Sequence, residues 1–132
     1  MLNKFSQQFN TKIDSPYGNG KSVTYMAIQL AYHMGFREVF IIGKDHSYVT
    51  QKSAGAAIES TGEESNHFIA GYYRKGQNWD APDYLGEERA YQIALKHFRK
   101  HGISIYDATV NGKLDVFPKV DFNTLFSDER GE

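Results

Sequence analysis

The most constraining feature of this sequence is a helical stripe that runs directly into a short apolar segment. From Ser22 onward, apolar residues recur three and four positions apart, the spacing of a helix face that packs on a core; they are Val23, Met26, Ala27, Leu30, Ala31 and Met34. Gly35 is expected to end the helix in a left-handed conformation, and residues 38–43 predict a buried strand. An uninterrupted apolar strand suits a parallel sheet covered on both faces, which indicates α/β architecture.

The second half of the chain repeats the helix-then-strand order. A helix is predicted from Leu85 to His101, with Gly102 as its end, and residues 103–106 predict a second strand. An Asn-Gly turn at 111–112, an extended piece at 114–117 and a turn through 122–126 follow. Residues 44–82 show no long periodic element, which favours a lid or binding loop. The sequence therefore predicts a Rossmann-like three-layer fragment, with a short, mainly parallel sheet flanked by helices and a long loop between the first strand and the second helix.

The chain of 132 residues is long enough for one domain. We expect an N-terminal arm and loop over 1–21, a single α/β domain over 22–126 and a frayed tail over 127–132. Two parallel strands leave exposed edges and little helix cover, so half a sheet is unstable alone. The expected partner is therefore a second copy of the chain, giving a homodimer, or a missing N-terminal half.

Composition limits the classes of partner. Lys plus Arg (15) and Asp plus Glu (16) nearly cancel, so no global field attracts nucleic acid or an anionic bilayer, and neither is an expected partner. The chain contains no cysteine, which excludes disulfides, thiolate metal sites and a cysteine nucleophile. No stretch is apolar and long enough to span a membrane, and the first residues lack the apolar core of a signal peptide. We therefore expect a cytoplasmic protein.

A glycine-rich segment, Gly-Asn-Gly-Lys-Ser at 18–22, precedes the first helix and has the composition of a phosphate-binding loop. The P-loop pattern fails, because Ser15 stands where its first glycine belongs and no apolar strand precedes it. Two interpretations remain. The N–H groups at the start of the helix bind an anion, or the segment is only a capped helix start.

Polar residues at 44–47 follow the first predicted strand, at the end where open α/β sheets bind ligands. Asp45 is a candidate for holding a ribose, a metal ion or a hydroxyl, and His46 for contacting a phosphate or moving a proton; both residues also occur as turn stabilisers. His67, in the long loop beside Asn66, is either a general base or a structural histidine.

Two weaker patterns fit a functional site but also fit ordinary structure. Tyr72-Tyr73-Arg74-Lys75 with Trp79 fits a patch that stacks bases and binds phosphate, and equally a half-buried loop. His97 and His101 have a zinc-chelating spacing on a helix, but no third ligand stands near them in the sequence. No metal site is therefore expected.

Several of these segments together resemble a known family. Residues 22–31 (SVTYMAIQLA) and 35–47 (GFREVFIIGKDHS), extended by NHF at 66–68 and GKLDVFP at 112–118, are similar to a bacterial family related to the motility accessory factor glycosyltransferases. That family is also related to 6-hydroxymethylpterin diphosphokinase-like proteins and, distantly, to CMP-sialic-acid-dependent sialyltransferases. The resemblance covers about 20–126 and corresponds to the C-terminal half of those relatives.

The resemblance implies where a donor nucleotide would sit. In the sialyltransferases the loop before the matching helix holds the phosphate and sugar of the donor, which here corresponds to Lys21, Ser22 and Val23, next to Gly20. Their donor-phosphate tyrosine falls near Ser47 or Tyr48.

The resemblance also assigns the chemistry. It places Asp45 on the family's acid after the strand, beside His46, and places the family's general base on His67, beside Asn66. The implied partner is a nucleotide or nucleotide-sugar, and the implied activity is a glycosyltransferase-like transfer of an acidic sugar that needs no metal or other cofactor. Two alternatives stay open: a diphosphokinase-like transferase, in which Asp45 holds magnesium against ATP, and a non-catalytic remnant that oligomerises or binds a partner.

Overall fold

The computed structural model describes residues 8–12, 18, 20–47, 53–60 and 75–126. In chain order the elements are α1 (Val23–His33), β1 (Glu38–Ile41), β2 (Ala57–Glu59), β3 (Asn78–Asp80), α2 (Tyr84–Lys100), β4 (Ser104–Asp107) and a 3-10 helix (Phe122–Leu125). The chain divides into two compact units, Met1–His46 with Leu85–Glu132, and Ser47–Tyr84. The predicted tail at 127–132 and most of the predicted N-terminal arm lie outside the described residues.

Both ends of α1 confirm the predicted signals. Ser22 has extended backbone angles, and its Oγ accepts a hydrogen bond from the Tyr25 N–H at 3.3 Å, as an N-cap does. At the other end Gly35 has a φ of 81°, and the N–H of Phe36 donates to the carbonyl of Ala31. A glycine adopts this left-handed conformation without a Cβ penalty, so the helix ends where the sequence predicts.

The predicted packing face of α1 is wrong. Val23 and Met34 of the stripe are 79% and 64% exposed, whereas the buried residues are Tyr25, Ile28 and Gln29. Met26 and Leu30 are 42% and 46% exposed, Ala27 is exposed, and Ala31 is the one member of the stripe that is half-buried.

Two properties of the opposite face of α1 explain why that face, and not the predicted stripe, packs on the core. Tyr25 has a large apolar ring to bury, and Gln29 is tolerated because its amide is satisfied. Its Nε2 donates to the carbonyl of Gly18 at 2.7 Å, and its Oε1 accepts from the N–H of Asn10 at 2.9 Å. Periodicity alone cannot reveal such a polar residue at a core position.

The parallel pair of strands confirms mixed α/β architecture. β1 pairs with β4 in parallel, with Val39 opposite Ile105 and Ile41 opposite Asp107, and α2 lies between them in the chain. A parallel pair needs such a crossover, which here is helical. An isolated parallel bridge also joins Asp107, at the end of β4, to Lys119.

The prediction of a strand covered on both faces is wrong for β1. Val39 is half-buried and Ile41 is buried, but Phe40 is 37% exposed and Ile42, just beyond the strand, is 61% exposed. Side chains alternate along a strand, so one face packs on the core while the other carries Phe40, stacked on Tyr106 at a centroid distance of 5.4 Å.

One hydrophobic core holds the first unit together. It draws on both helices, both parallel strands and the segment after β4, and its buried members are Tyr25, Ile28, Ile41, Ala90, Tyr91, Ala94, Phe98, Ile103, Ile105, Leu114 and Phe117. Phe9 packs against it from the N-terminal side, with its ring edge-on to Tyr25. Because α2 contributes four of these residues, it is the helix around which the core forms.

The predicted limits of α2 and β4 agree with the structure within one residue, whereas the extended piece predicted at 114–117 forms no strand. α2 spans Tyr84–Lys100, and Gly102 with a φ of 65° follows its end. The turn at 111–112 has Asn111 in the left-handed region, with a φ of 57°. No helix in the described part of the chain is long and apolar enough to cross a membrane.

The second unit contains a short antiparallel pair. β2 pairs with β3, with Ile58 opposite Trp79, and the N–H of Gly76 donates to the carbonyl of Ser60 at 2.8 Å. The part of 44–82 that the structure describes therefore holds two three-residue strands and no long element. The lid interpretation stays a prediction, because residues 61–74 lie outside the described residues.

Candidate functional site

A buried carboxylate near the start of α2 is the centre of the candidate site. Glu87 Oε2 accepts a hydrogen bond from Lys44 Nζ at 2.7 Å, and the two side chains are only 6% and 17% exposed. A charge this deeply buried is tolerated when it is paired. Lys44 follows β1, so this ion pair fixes the end of the strand against the helix.

Tyr91, one turn further along α2, extends the contact to α1. Its hydroxyl donates to Glu87 Oε2 at 3.4 Å and lies 2.7 Å from Ser22 Oγ. A phenol has one proton, so the Ser22 hydroxyl is the donor to Tyr91 in this arrangement. The side chains of Ser22, Tyr91, Glu87 and Lys44 thus form one hydrogen-bonded path, which we call the Glu87 cluster.

His46 adjoins the Glu87 cluster. Its side chain is 4% exposed, its Nε2 lies 3.0 Å from Glu88 Oε1, and its Nδ1 lies 3.8 Å from Glu87 Oε2. A carboxylate only accepts hydrogen bonds, so the contact with Glu88 places a proton on Nε2. His46 also has a φ of 54°, an uncommon backbone conformation for a residue with a side chain, and such strain concentrates at functional sites.

Backbone hydrogen bonds hold the loop after β1 in place. The N–H of Lys44 donates to Thr109 Oγ1 at 3.2 Å, and the N–H of Lys113 donates to the carbonyl of Asp45 at 2.8 Å. Gly112 makes this close approach possible, because a Cβ there would lie 2.9 Å from the side chain of Thr109. The predicted turn after β4 therefore supports the loop that carries Lys44 and His46.

The environment shifts the pKa values of two cluster members. Burial is the largest single effect on Lys44 and works against its charged form, but the hydrogen bond to Glu87 and the further electrostatic interactions with Tyr91 and Glu87 together outweigh it, and the pKa of Lys44 is raised above its usual value. Burial is also the main cause that raises the pKa of Tyr91. At neutral pH the cluster thus contains a charged ammonium and a neutral phenol.

The residues predicted at the helix start differ in burial and in their relation to the Glu87 cluster. Ser22 belongs to the Glu87 cluster, Gly20 is buried, and Lys21 and Val23 are exposed beside it. Gly20 has a φ of 50°, and Lys21 follows with 65°, so the chain makes a left-handed turn into α1.

We expect Gly20→Ala to lower the free energy of unfolding by about 1–3 kcal/mol more than Gly43→Ala does. Both glycines have positive φ values, 50° and 73°, so both variants carry the same kind of backbone strain. Only at Gly20 would the added Cβ meet a rigid group, 2.3 Å from the ring of Tyr25, whereas nothing lies within 4 Å at Gly43. Urea unfolding of both variants measures the difference, and equal losses would contradict the packing of Tyr25 over Gly20.

The site residues predicted after β1 lie in different surroundings. His46 reaches the cluster, but the Asp45 side chain is exposed and lines a cavity of about 260 Å³ with Ile42, Val110 and Phe122. Ser47 is exposed and begins the second unit. The predicted roles of Tyr48, Asn66 and His67 fall outside the described residues and stay predictions.

The sequence interpretation missed four residues of this site: Lys44, Glu87, Glu88 and Tyr91. An acidic residue in the first turn of a helix, as Glu87 is, looks like an ordinary partner of the helix dipole. A weak signal was present, since Glu87 and Tyr91 are four positions apart and share a helix face. Their contacts with Lys44 and Ser22 span 43 and 69 residues of sequence, which no local pattern predicts.

Within the described ranges, no three histidine, aspartate or glutamate side chains converge as metal ligands. His97 and His101 do stack with a centroid distance of 4.3 Å, and the Nδ1 of His101 is 2.9 Å from the carbonyl of His97.

The fold and the site together define a mixed α/β protein with a small parallel sheet and a buried polar cluster between two helices and a strand end. Comparison of the chain with protein-family models, with curated proteins and with solved structures found no match. Functional inference therefore depends on the geometry of the site and on the residues that form it.

Proposed function

We propose that this chain is a glycosyltransferase-like domain that binds a nucleotide-activated acidic sugar in the manner of sialyltransferases, on a Rossmann-like half-sheet. The donor phosphate would lie at the start of α1. The observation that carries the proposal is the hydrogen-bonded path from Ser22 through Tyr91 and Glu87 to Lys44. It connects the two loops that were independently expected to bind the donor.

The helix start supplies donors for an anion. By helix geometry the first N–H groups of α1, at Val23 and Thr24, have no intrahelical acceptor, and the helix dipole adds partial positive charge there. The exposed Lys21 stands beside them. These groups favour a phosphate, which agrees with the nucleotide predicted from the sequence.

The Glu87 cluster contributes orientation. Ser22 both caps α1 and contacts Tyr91, so the direction of its lone pairs is fixed before a ligand arrives. Lys44 joins this path through its ion pair with Glu87, with its side chain 17% exposed. A phosphate placed at α1 would thus meet a helix start whose N-cap side chain is already held in place.

The proton transfer is assigned to His67. In this proposal His67 takes the proton of the acceptor hydroxyl, and Asp45 and Asn66 organise the site, with Ser47 or Tyr48 contacting the donor phosphate. An imidazole suits this role because its unperturbed pKa lies near 6.5. His46, already hydrogen bonded to Glu88, supports the loop that carries Asp45.

A thermal-shift screen tests the binding step. We expect CMP or CDP to raise the melting temperature without magnesium, because a ligand that binds only the folded state stabilises it. Ser22→Ala should abolish that shift, and Ser53→Ala, an exposed serine of the second unit, should keep it. A shift only with ATP and magnesium would instead support the diphosphokinase-like alternative, and no shift with any nucleotide would contradict nucleotide binding.

The assignment of the base has a separate test. We expect His67→Ala to lower the rate of donor hydrolysis or transfer by about 10²–10⁴-fold while the thermal shift with CMP stays the same. A variant with unchanged rate would overturn the role of His67. A chain that binds CMP but shows no turnover in either form would contradict a transferase function.

The exposed stripe of α1 supports a second function, oligomerisation. Val23, Ala27, Leu30 and Met34 follow the alternating spacing of four and three residues that pairs helices, and the small Ala27 lets two helices approach closely. The large apolar side chains on and beside this stripe, including Met26 and Phe36, are 42–79% exposed, and several exposed apolar side chains close together are typical of an interaction surface. A second copy of the chain, packing its own stripe here, would cover this surface symmetrically.

Light scattering coupled to gel filtration tests this dimer. We expect the chain to be a dimer and Leu30→Asp to convert it to a monomer, because a charge would be buried in the interface. Leu85→Asp is the matched control, since Leu85 is 68% exposed and lies on α2 rather than on the stripe. A wild-type monomer, or a dimer that survives Leu30→Asp, would contradict pairing through α1.

A further inference from the structure

A groove lies on the far half of α2, away from the Glu87 cluster. It has a volume of about 540 Å³ and lies between the N-terminal segment and the last turns of the helix. That volume is within the usual range for small-molecule sites, roughly 300–1,000 Å³. Its lining is Gln8, Phe9, Asn10, Thr11, Ile93, Lys96, His97 and Lys100.

The charges on the groove have one sign. Lys96 and Lys100 stand one helical turn apart on the same wall, and none of the described lining residues is acidic. Asn10 and Thr11 add polar groups on the opposite wall, while Phe9 and Ile93 provide apolar surface. A pocket with two ammonium groups, polar neighbours and an aromatic wall suits a small anionic molecule that also has an apolar part.

His97 is the unusual member of this wall. Its ring stacks on Phe9 with a centroid distance of 4.3 Å, and its Nε2 is buried without a hydrogen-bond partner among the described residues. Burial is the main cause that lowers the pKa of His97, and His101 and Lys100 lower it further. The protonated form thus lacks a stabilising negative charge in the described part of the protein.

We propose that this groove is a second binding site, for a small molecule carrying a phosphate or similar oxyanion, held by Lys96 and Lys100. Along α2 the groove is about 15 Å from Glu87, ten residues away, so the site is separate from the Glu87 cluster and does not depend on the function proposed for it. Lysine ammonium groups act as point charges for phosphate, and the ring of Phe9 provides a surface for the rest of the ligand.

Binding in the groove is coupled to a proton on His97. An oxyanion beside the imidazole supplies the negative charge that the protonated ring lacks, so the pKa of His97 rises when the site is filled. The other groups that face this ring are positive or neutral: Lys96, Lys100 and His101 on α2, and Tyr32 of α1, whose ring lies 4.9 Å from it. Lys12, near the end of the N-terminal segment, adds another positive charge.

The experiment is a titration of the full chain with phenyl phosphate, followed by NMR of the histidine side chains. We expect saturable binding, with a rise in the pKa of His97, and no binding of phenol at the same concentration. Lys96→Gln with Lys100→Gln should weaken binding at least tenfold. Arg99→Gln should leave it within about twofold, since this substitution also removes a positive charge from the last turn of α2 but Arg99 lies against a different surface, near Ser104 and Pro118.

Each outcome decides the proposal. Equal weakening by Arg99→Gln and by the lysine variants would show general attraction to the end of the helix and overturn a built site. Binding that leaves the His97 pKa unchanged would place the ligand elsewhere. Should the double variant lose its fold, Thr11→Glu provides a second test, because it adds a negative charge to the opposite wall and is expected to weaken oxyanion binding in a folded protein. Failure here would leave CMP binding at α1 untouched, so the two proposals are distinguishable.

Discussion

Replacing Phe98 with alanine is expected to lower the free energy of unfolding by about 3–5 kcal/mol. The side chain is fully buried, and its ring contacts Phe9 edge-on at 5.8 Å and Tyr32 at 6.1 Å between centroids. It thereby connects α2 with α1 and with the N-terminal segment. Its removal leaves a cavity that three separate parts of the chain would have to fill together, which makes collapse difficult.

Thermal unfolding measures this effect. A loss of that size corresponds to a fall in melting temperature of roughly 10–20 °C for a domain of this length. Phe126→Ala is the control, because the same atoms are removed from a side chain that is 75% exposed, and we expect a change within about 0.5 kcal/mol. Similar losses in the two variants would contradict the position of Phe98 at the centre of the core.

Replacing Glu87 with alanine is expected to lower the free energy of unfolding by about 3–5 kcal/mol, because it leaves the ammonium group of Lys44 buried without its carboxylate partner. Tyr91 loses an acceptor in the same change. Glu88→Ala, at a 38% exposed carboxylate, is expected to lower the free energy of unfolding by about 1 kcal/mol or less.

The ion pair is intact across neutral pH. Because the pKa of Lys44 is raised in the folded protein, the stability that Lys44 contributes is complete below its unfolded pKa, about 10.5. It is lost only as the pH rises through the pKa of the folded state.

A double variant separates the structural part of this effect from the functional part. Lys44→Met with Glu87→Leu replaces both charges by apolar groups of similar size, and such replacements of buried pairs are often neutral or stabilising. We expect urea unfolding close to wild type but no thermal shift with CMP. A double variant that still binds CMP would show that the ion pair serves stability alone.

The sequence predicted the elements of the fold better than their environment. Helix limits depend on local signals, such as the Ser22 cap and Gly35, and these were confirmed. The buried face of α1 depends on which side chains find partners across the chain. Gln29 is accepted in the core only because Gly18 and Asn10 satisfy its amide, and that pairing is invisible in a periodic pattern.

The candidate site follows the same rule. Ser22 and His46 could be chosen from their positions at a helix start and a strand end. The residues between them could not, because Glu87 and Tyr91 acquire their meaning only when α2 packs against both loops. The exposed faces of α1 and β1 are a second example: their apolar character was visible, but whether the chain covers them itself was not.

Mapping by NMR is the most direct test of the central claim, that the Glu87 cluster joins two loops into one nucleotide site. The chain, labelled with ¹⁵N, would be titrated with CMP in the absence of magnesium. We expect the largest amide shifts at residues 20–25 and 43–46, with smaller ones at Glu87 and Tyr91. Shifts confined to other parts of the chain, or none at saturating nucleotide, would contradict the claim.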